Sequence, residues 1–253
     1  MYYSEADKTV LPLVFLVMVA VVAVLAFVLR HRSEHVRAIP TAIIAVVLIF
    51  IEIVKQRWNI LGEFDLFYLP FHYCSLFLVV IPLAELCGTR MSRIFRPIAT
   101  CMAFIVSVSM YVYPYGIMGR ATELFGIAFK ETHGFIFHHL IVLYFLFTVA
   151  MRLGKPRWRD ALNVGLVGAI YCAIAIPIAY KLQTNYGNIL DSVIPIMEDL
   201  RLEHGQVKYT ACIVAVLTLG SALSSFLCIG LDLLVGGFFK LFSNAKNKEK
   251  IYK

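Results

Sequence analysis

Long, nearly continuous apolar runs constrain this 253-residue chain more than any other feature it has. A helix needs about 20 mostly apolar residues to cross a ~30 Å hydrocarbon core, at ~1.5 Å of rise per residue. Seven stretches meet or approach that length: Val10–Leu29, Ile39–Val54, Leu66–Leu86, Ile98–Val112, Phe135–Ala150, Ala161–Tyr180 and Thr210–Val235. None alternates polar with apolar residues, which excludes membrane strands. Composition points the same way. Hydrophobic residues make up 60% and charged residues 15% of the chain, whereas soluble domains carry roughly 45–50% and about 25%. One aqueous core of this size cannot hide that surplus. The expected fold is all-α, a polytopic bundle of seven transmembrane helices forming one domain over residues 1–253, placed as a multi-pass protein in a cell membrane.

The positions of the charges set an orientation. The linkers after segments one, three and five hold Arg30, Arg32 and Arg37, then Arg90, Arg93 and Arg96, then Arg152, Lys155, Arg157 and Arg159. The tail adds Lys240, Lys246, Lys248, Lys250 and Lys253, so fifteen of the 23 basic residues fall on one side. The other side carries most of the acids, among them Glu63, Asp65, Glu123, Glu131, Asp191 and Glu198. Basic residues are retained in the cytoplasm. The N-terminus is therefore expected outside and the C-terminus inside. Acids precede the first apolar run and arginines follow it, the reverse of a signal peptide, so that segment reads as a retained helix. The net charge of +7 then belongs to a lipid-facing cytoplasmic surface, and nucleic acid is not an expected partner.

Two outer connections are long, Pro114–Gly134 and Lys181–Tyr209, while the inner ones are short. Such asymmetry suits a lid or binding surface on the outer face. No internal repeat is evident, which argues against an inverted-repeat transporter.

The chemistry-bearing residues gather at that outer level. Segment three opens with Pro70-Phe71-His72-Tyr73-Cys74-Ser75, and segment five with His133-Gly134-Phe135-Ile136-Phe137-His138-His139. Both segments run inward, so their imidazoles and the Cys74 thiol share a shallow depth. Ionisable groups within a membrane are costly and face the bundle interior or water. Glu52, near the outer end of segment two, falls at the same level. Taken as one helix, segment three places His72 and Cys74 about 200° apart, and residues so spaced do not face each other. A base for Cys74 must then come from His138 or His139, since a thiol becomes a strong nucleophile only when deprotonated. The alternative role for the three histidines is as hydrogen-bonding pins between helices. Glu52, Tyr111 and Ser75 are the accompanying candidates for contact with substrate. Tyr111, Tyr113 and Tyr115 also suit an interfacial aromatic belt. Thr218, Ser221, Ser225, Cys228 and Asp232 form a small-residue packing stripe, with Asp232 expected to be solvated. The other five cysteines read as small buried hydrophobes. No nucleotide, flavin, haem or metal motif is present, so no cofactor is expected.

The runs Leu69-Pro70-Phe71-His72-Tyr73-Cys74-Ser75-Leu76-Phe77 and Phe137-His138-His139-Leu140-Ile141 resemble the YwaF-like family of bacterial integral membrane proteins. The likeness spans roughly segments two to six. It extends distantly to a vertebrate transmembrane phospholipid acyltransferase that works through a cysteine. The resemblance implies a phospholipid or acyl chain as partner, an acyl-enzyme thioester at Cys74, and His72 and His138 at the family's histidine positions. A lipid-modifying enzyme is the leading expectation. A transporter or channel using a His/Glu layer, and a non-catalytic component of a larger assembly, are the alternatives.

Overall fold

The computed structural model describes residues 5–62, 64–114, 117 and 129–251. Helices α1 (Glu5–Leu29), α2 (Glu34–Arg37) and α3 (Ile39–Leu61) open the chain. They are followed by α4 (Phe77–Glu85), α5 (Gly88–Val112), α6 (Phe129–Ala150) and α7 (Trp158–Leu182). A short α8 (Pro195–His204) precedes α9 (Gln206–Ala215), which continues through a π turn at Val216–Gly220 into α10 (Ser221–Ile251). No strand occurs among the described residues. Among the described residues six helical stretches are long and apolar enough to cross a membrane: Thr9–Leu29, Ile39–Leu61, Gly88–Val112, Thr132–Ala150, Trp158–Leu182 and Gln206–Gly237.

Segment three is not the single helix expected. Leu66–Tyr68 and Tyr73–Leu76 are 3-10 turns, and only Phe77–Glu85 is α-helical. The cause is local. A residue before proline is driven from the helical region, and Leu69, ahead of Pro70, sits at φ −63°, ψ 150°. His72 is likewise extended, at φ −73°, ψ 153°. The segment nevertheless descends beside α3. Asn59 exchanges hydrogen bonds with the Asp65 backbone at 3.0 and 3.1 Å, and the Gln56 amide donates to the Tyr68 carbonyl at 2.8 Å. Eighteen residues back along α3, the Thr41 hydroxyl donates to Glu85 at 2.8 Å.

Elsewhere the helices outrun the apolar segments. α5 begins at Gly88 rather than Ile98, because Arg90, Arg93 and Arg96 continue the helix without continuing its apolarity. The core is built by Leu48 of α3, Phe77 and Ile81 of α4, Met102 of α5 and Ile141 of α6. α1 lies to one side, with Leu11 packed against Met110, Phe135 and Val142. The small-residue stripe is buried at Ser221, Ser225, Cys228 and Asp232. Asp232 is not solvated as expected: it is 5% exposed and paired with Arg152 at 3.3 Å. Cys87 departs from its expected burial too, being exposed after the end of α4.

The connection predicted over Pro114–Gly134 lies mostly outside the described residues, as do the side chains of the C-terminal lysines. The other long connection is folded. Tyr186, Ile189 and Tyr209 pack with Tyr171 and Ala175 into a second small core. The turn at Tyr186–Asn188 needs Gly187, which is at φ 58° and whose absent Cβ would lie 2.3 Å from the Tyr171 hydroxyl. Tyr186 and Tyr171 then donate to the carbonyls of Leu66 (2.5 Å) and Phe71 (3.0 Å), fastening this connection over the irregular part of segment three.

Candidate functional site

Two levels of the bundle hold buried polar groups, at opposite ends of α3, α5 and α6. One may be named the histidine end and the other, where the basic linkers gather, the arginine end. At the histidine end, α3 presents Glu52, Lys55 and Gln56, spaced so that one helical face carries all three. The Gln56 amide donates to Glu52 Oε1 at 2.7 Å, and Lys55 Nζ lies 2.8 Å from the same oxygen. Glu52 Oε2 faces His133 Nε2 at 3.6 Å. Cys74 and His72 both lie within electrostatic range of Glu52 and Lys55. His138 lies within range of His72, His133 and His139. The cluster thus joins α3, the 3-10 turn ahead of α4, and the first turns of α6.

The rings are held in defined tautomers. His138 Nδ1 lies 2.8 Å from the Gly134 carbonyl, and His139 Nδ1 lies 2.8 Å from the Phe135 carbonyl. A carbonyl oxygen only accepts, so each Nδ1 carries the proton and Nε2 of the neutral ring carries the lone pair. Both residues are 6% exposed, and neither Nε2 has a hydrogen-bond partner among the described residues. His72 is held the other way round. Its Nε2 donates to the Phe67 carbonyl at 2.9 Å, and its ring meets Phe67 and Tyr186 edge-on at 4.7 and 5.4 Å. Buried polar atoms are satisfied in the great majority of cases, so two imidazole nitrogens without a partner among the described residues make this the candidate place for another molecule to complete the bonding.

The candidates divide into two groups. Cys74 and His72 gather around Glu52 and Lys55, and His138 lies in range of His72. His139 turns toward Tyr111 instead, with ring centroids 6.2 Å apart, and Tyr111 packs on Phe15 of α1 at 4.8 Å. The Tyr111 hydroxyl is buried without a hydrogen-bond partner among the described residues. Ser75 donates its backbone N–H to the His72 carbonyl at 2.9 Å, while its hydroxyl makes no hydrogen bond among the described residues. The Cys74 thiol receives no imidazole hydrogen bond there. Because His72 is extended, its direction relative to Cys74 follows from that backbone and not from a helical wheel.

Sequence reasoning passed over His133, Lys55 and Gln56. The signal for the last two was legible: residues at i, i+3 and i+4 from Glu52 share its face. His133 opens the same helix as His138 and stacks on Phe137 at 5.7 Å. No group of three or more His, Cys, Asp or Glu side chains among the described residues has the arrangement of a metal site.

Compared with known protein families, residues 2–225 match the model described as the TMEM164 family. No curated protein and no solved structure matches.

Proposed function

This chain belongs to the TMEM164 family of transmembrane proteins, and from that premise we propose that it is a lipid-modifying enzyme, moving or hydrolysing acyl chains of phospholipids at the outer leaflet of the cell membrane. The observation that carries the reading is the Nε2 of His138, which has no hydrogen-bond partner among the described residues while its Nδ1–H is held on the Gly134 carbonyl, in range of His72, two residues from Cys74. In this reading segment three is a seventh crossing beside the six long helices. The basic linkers and tail then put the arginine end in the cytoplasm, with the N-terminus outside. The likeness of residues 69–77 and 137–141 to the YwaF-like proteins supports the same chemistry.

In the proposed reaction His138 Nε2 takes the thiol proton of Cys74. The sulfur attacks the acyl carbonyl of a phospholipid, forming the thioester C–S bond and breaking the ester C–O bond. The departing lysolipid oxygen takes the proton from the imidazolium. A second lipid hydroxyl, or water, then loses its proton to Nε2 and attacks the thioester, and the freed sulfur is reprotonated. General bases of this kind often tighten onto their partners only in the substrate complex. The test is acyl exchange between fluorescent phospholipids by the purified protein, with thermal stability measured alongside. Cys74→Ala and Cys74→Ser should both nearly abolish exchange while leaving the unfolding midpoint close to that of the parent. Full activity in Cys74→Ala would end the thioester mechanism, and His72 would become the leading base on water or a lipid hydroxyl.

A second reading rests on Glu52. Its Oε2 makes no hydrogen bond among the described residues, and His133 and Lys55 stand beside the carboxylate, as in a proton site of a transporter or channel. Proton flux into liposomes that survives in Cys74→Ala and is lost in Glu52→Gln would favour this reading over acyl transfer.

A further inference from the structure

At the arginine end, remote from the histidine cluster, a cavity of about 910 Å³ opens between α2, the start of α3, the α4–α5 turn and the α6–α7 connection. Its volume is in the range of sites that hold small organic ligands, roughly 300–1,000 Å³. Its walls are rich in cations, and the acids present are already engaged. Glu85 and Glu34 are taken by Arg96, at 2.8 and 3.3 Å. Arg152 is held by Asp232, and Asp160 accepts the backbone N–H of Arg157 at 2.7 Å. Arg93, Lys155 and Arg157 also line the cavity, and among the described residues none has a carboxylate partner.

The α6–α7 connection is shaped to bring these side chains there. Arg152 and Lys155 both adopt left-handed backbone conformations, at φ 54° and 40°, which non-glycine residues adopt at a cost. Between them Gly154 lies so close to α5 that a Cβ would stand 2.3 Å from the Thr100 hydroxyl. Arg37 of α2 donates to the Met151 carbonyl at 2.8 Å, closing the other side. A strained, tightly fastened loop thus holds uncompensated cations around one concavity at the end of the bundle.

We propose that this cavity is a phosphate-binding site, taking the phosphate of an anionic lipid headgroup in the leaflet at that end or a free phosphate anion. Guanidinium groups bind phosphate oxygens in pairs of hydrogen bonds, and basic pockets between membrane helices at an interface suit such headgroups. The site is independent of the acyl-transfer chemistry, and its test reads binding and not turnover.

The full chain, purified in a non-ionic detergent, would be titrated with dioctanoyl-phosphatidylglycerol, dioctanoyl-phosphatidylcholine and inorganic phosphate while its thermal unfolding is followed. Phosphatidylglycerol should raise the midpoint well above the phosphatidylcholine response. Arg93→Gln with Arg157→Gln should weaken that effect about tenfold, the loss expected for charge-assisted hydrogen bonds. Both residues are exposed, so the double variant should keep the parent midpoint when no probe is added. Arg90→Gln, an equal change in charge on an exposed residue outside the cavity, should bind as the parent does. A response to inorganic phosphate that the double variant weakens likewise supports the site and identifies the free anion as its ligand. The proposal is overturned if no probe moves the midpoint, or if Arg90→Gln weakens binding as much as the double variant.

Discussion

Glu85 at the arginine end and the histidine layer at the other bury polar groups in opposite ways. At the arginine end the Glu85 carboxylate accepts from Arg96 Nε and Nη2 at 2.8 and 2.9 Å, from Thr41 at 2.8 Å and from Tyr144 at 3.0 Å. Four donors fill the roughly four lone-pair positions a carboxylate offers. At the histidine end, Glu52 Oε2, the Tyr111 hydroxyl and Nε2 of both His138 and His139 are buried without hydrogen-bond partners among the described residues. A saturated network rigidifies and specifies packing, whereas unsatisfied buried groups cost stability. In the proposed function the Glu85 network serves architecture and the histidine layer works on another molecule.

The strongest way to break this contrast is to remove Glu85. Glu85→Ala strands the Arg96 guanidinium inside the bundle, and losing one partner of a buried pair costs about 3–5 kcal/mol. Thermal unfolding in detergent should show the largest loss of any single change here. Next come the histidines, where the effect should move from stability to turnover. His138→Ala removes one side-chain hydrogen bond, worth about 1 kcal/mol, but as general base its loss should slow acyl exchange by about 10²–10⁴-fold. His139→Ala, directed toward Tyr111, should retain most exchange. Equal loss in both variants would erase the division of the layer into two groups.

A matched pair of tyrosines sharpens the point further. Tyr144→Phe deletes a bonded hydroxyl and should lower stability by about 1 kcal/mol, whereas Tyr111→Phe deletes an unbonded one and should be neutral or mildly stabilising. The smallest effect is expected away from both levels, on α8. The Arg201 guanidinium, with help from the Ser192 N–H, lowers the Glu198 carboxyl from its usual 4.5 to about 2. A depressed carboxyl contributes stability that is complete above pH 4.5 and lost as the pH falls toward 2. An exposed pair contributes little, so amide exchange across α8 should accelerate only slightly in that window, and Arg201→Ala should remove the pH dependence.

Much of this molecule was legible in its residues, for identifiable reasons. Hydrocarbon thickness sets a length, and apolar runs report it, so the long helices were found. Their ends were misjudged where Arg90, Arg93 and Arg96 extend α5 into the interface, since a polarity count stops at the first charge. Segment three failed as a helix for a reason visible in one residue: Pro70 holds Leu69 extended, and the turns beside it follow. The depth shared by His72, Cys74 and His138 could be read by counting inward along two segments. That His138 falls in range of His72 while His139 turns to Tyr111 could not, because it depends on the rotation of α6 against its neighbours. The pairing of Asp232 with Arg152 was equally hidden, the two being eighty residues apart.

The π turn at Val216–Gly220 has a consequence for how this chain tolerates insertion and deletion. From Tyr209 to Ser225 the buried residues recur every four positions, and over that interval an uninterrupted α-helix would drift by about 160°. The extra residue of a π turn takes back about 100° of it, so one seam runs along both halves of the last helix. Loss of a single residue between 216 and 220 would return the turn to α geometry and swing the lower half round. Asp232 would leave Arg152, and Cys228 would part from Cys101, with which it shares the core. Tyr209 and the folded connection above it would keep their places. Phase along this helix is therefore counted from its middle, and length changes that a loop would absorb are forbidden there.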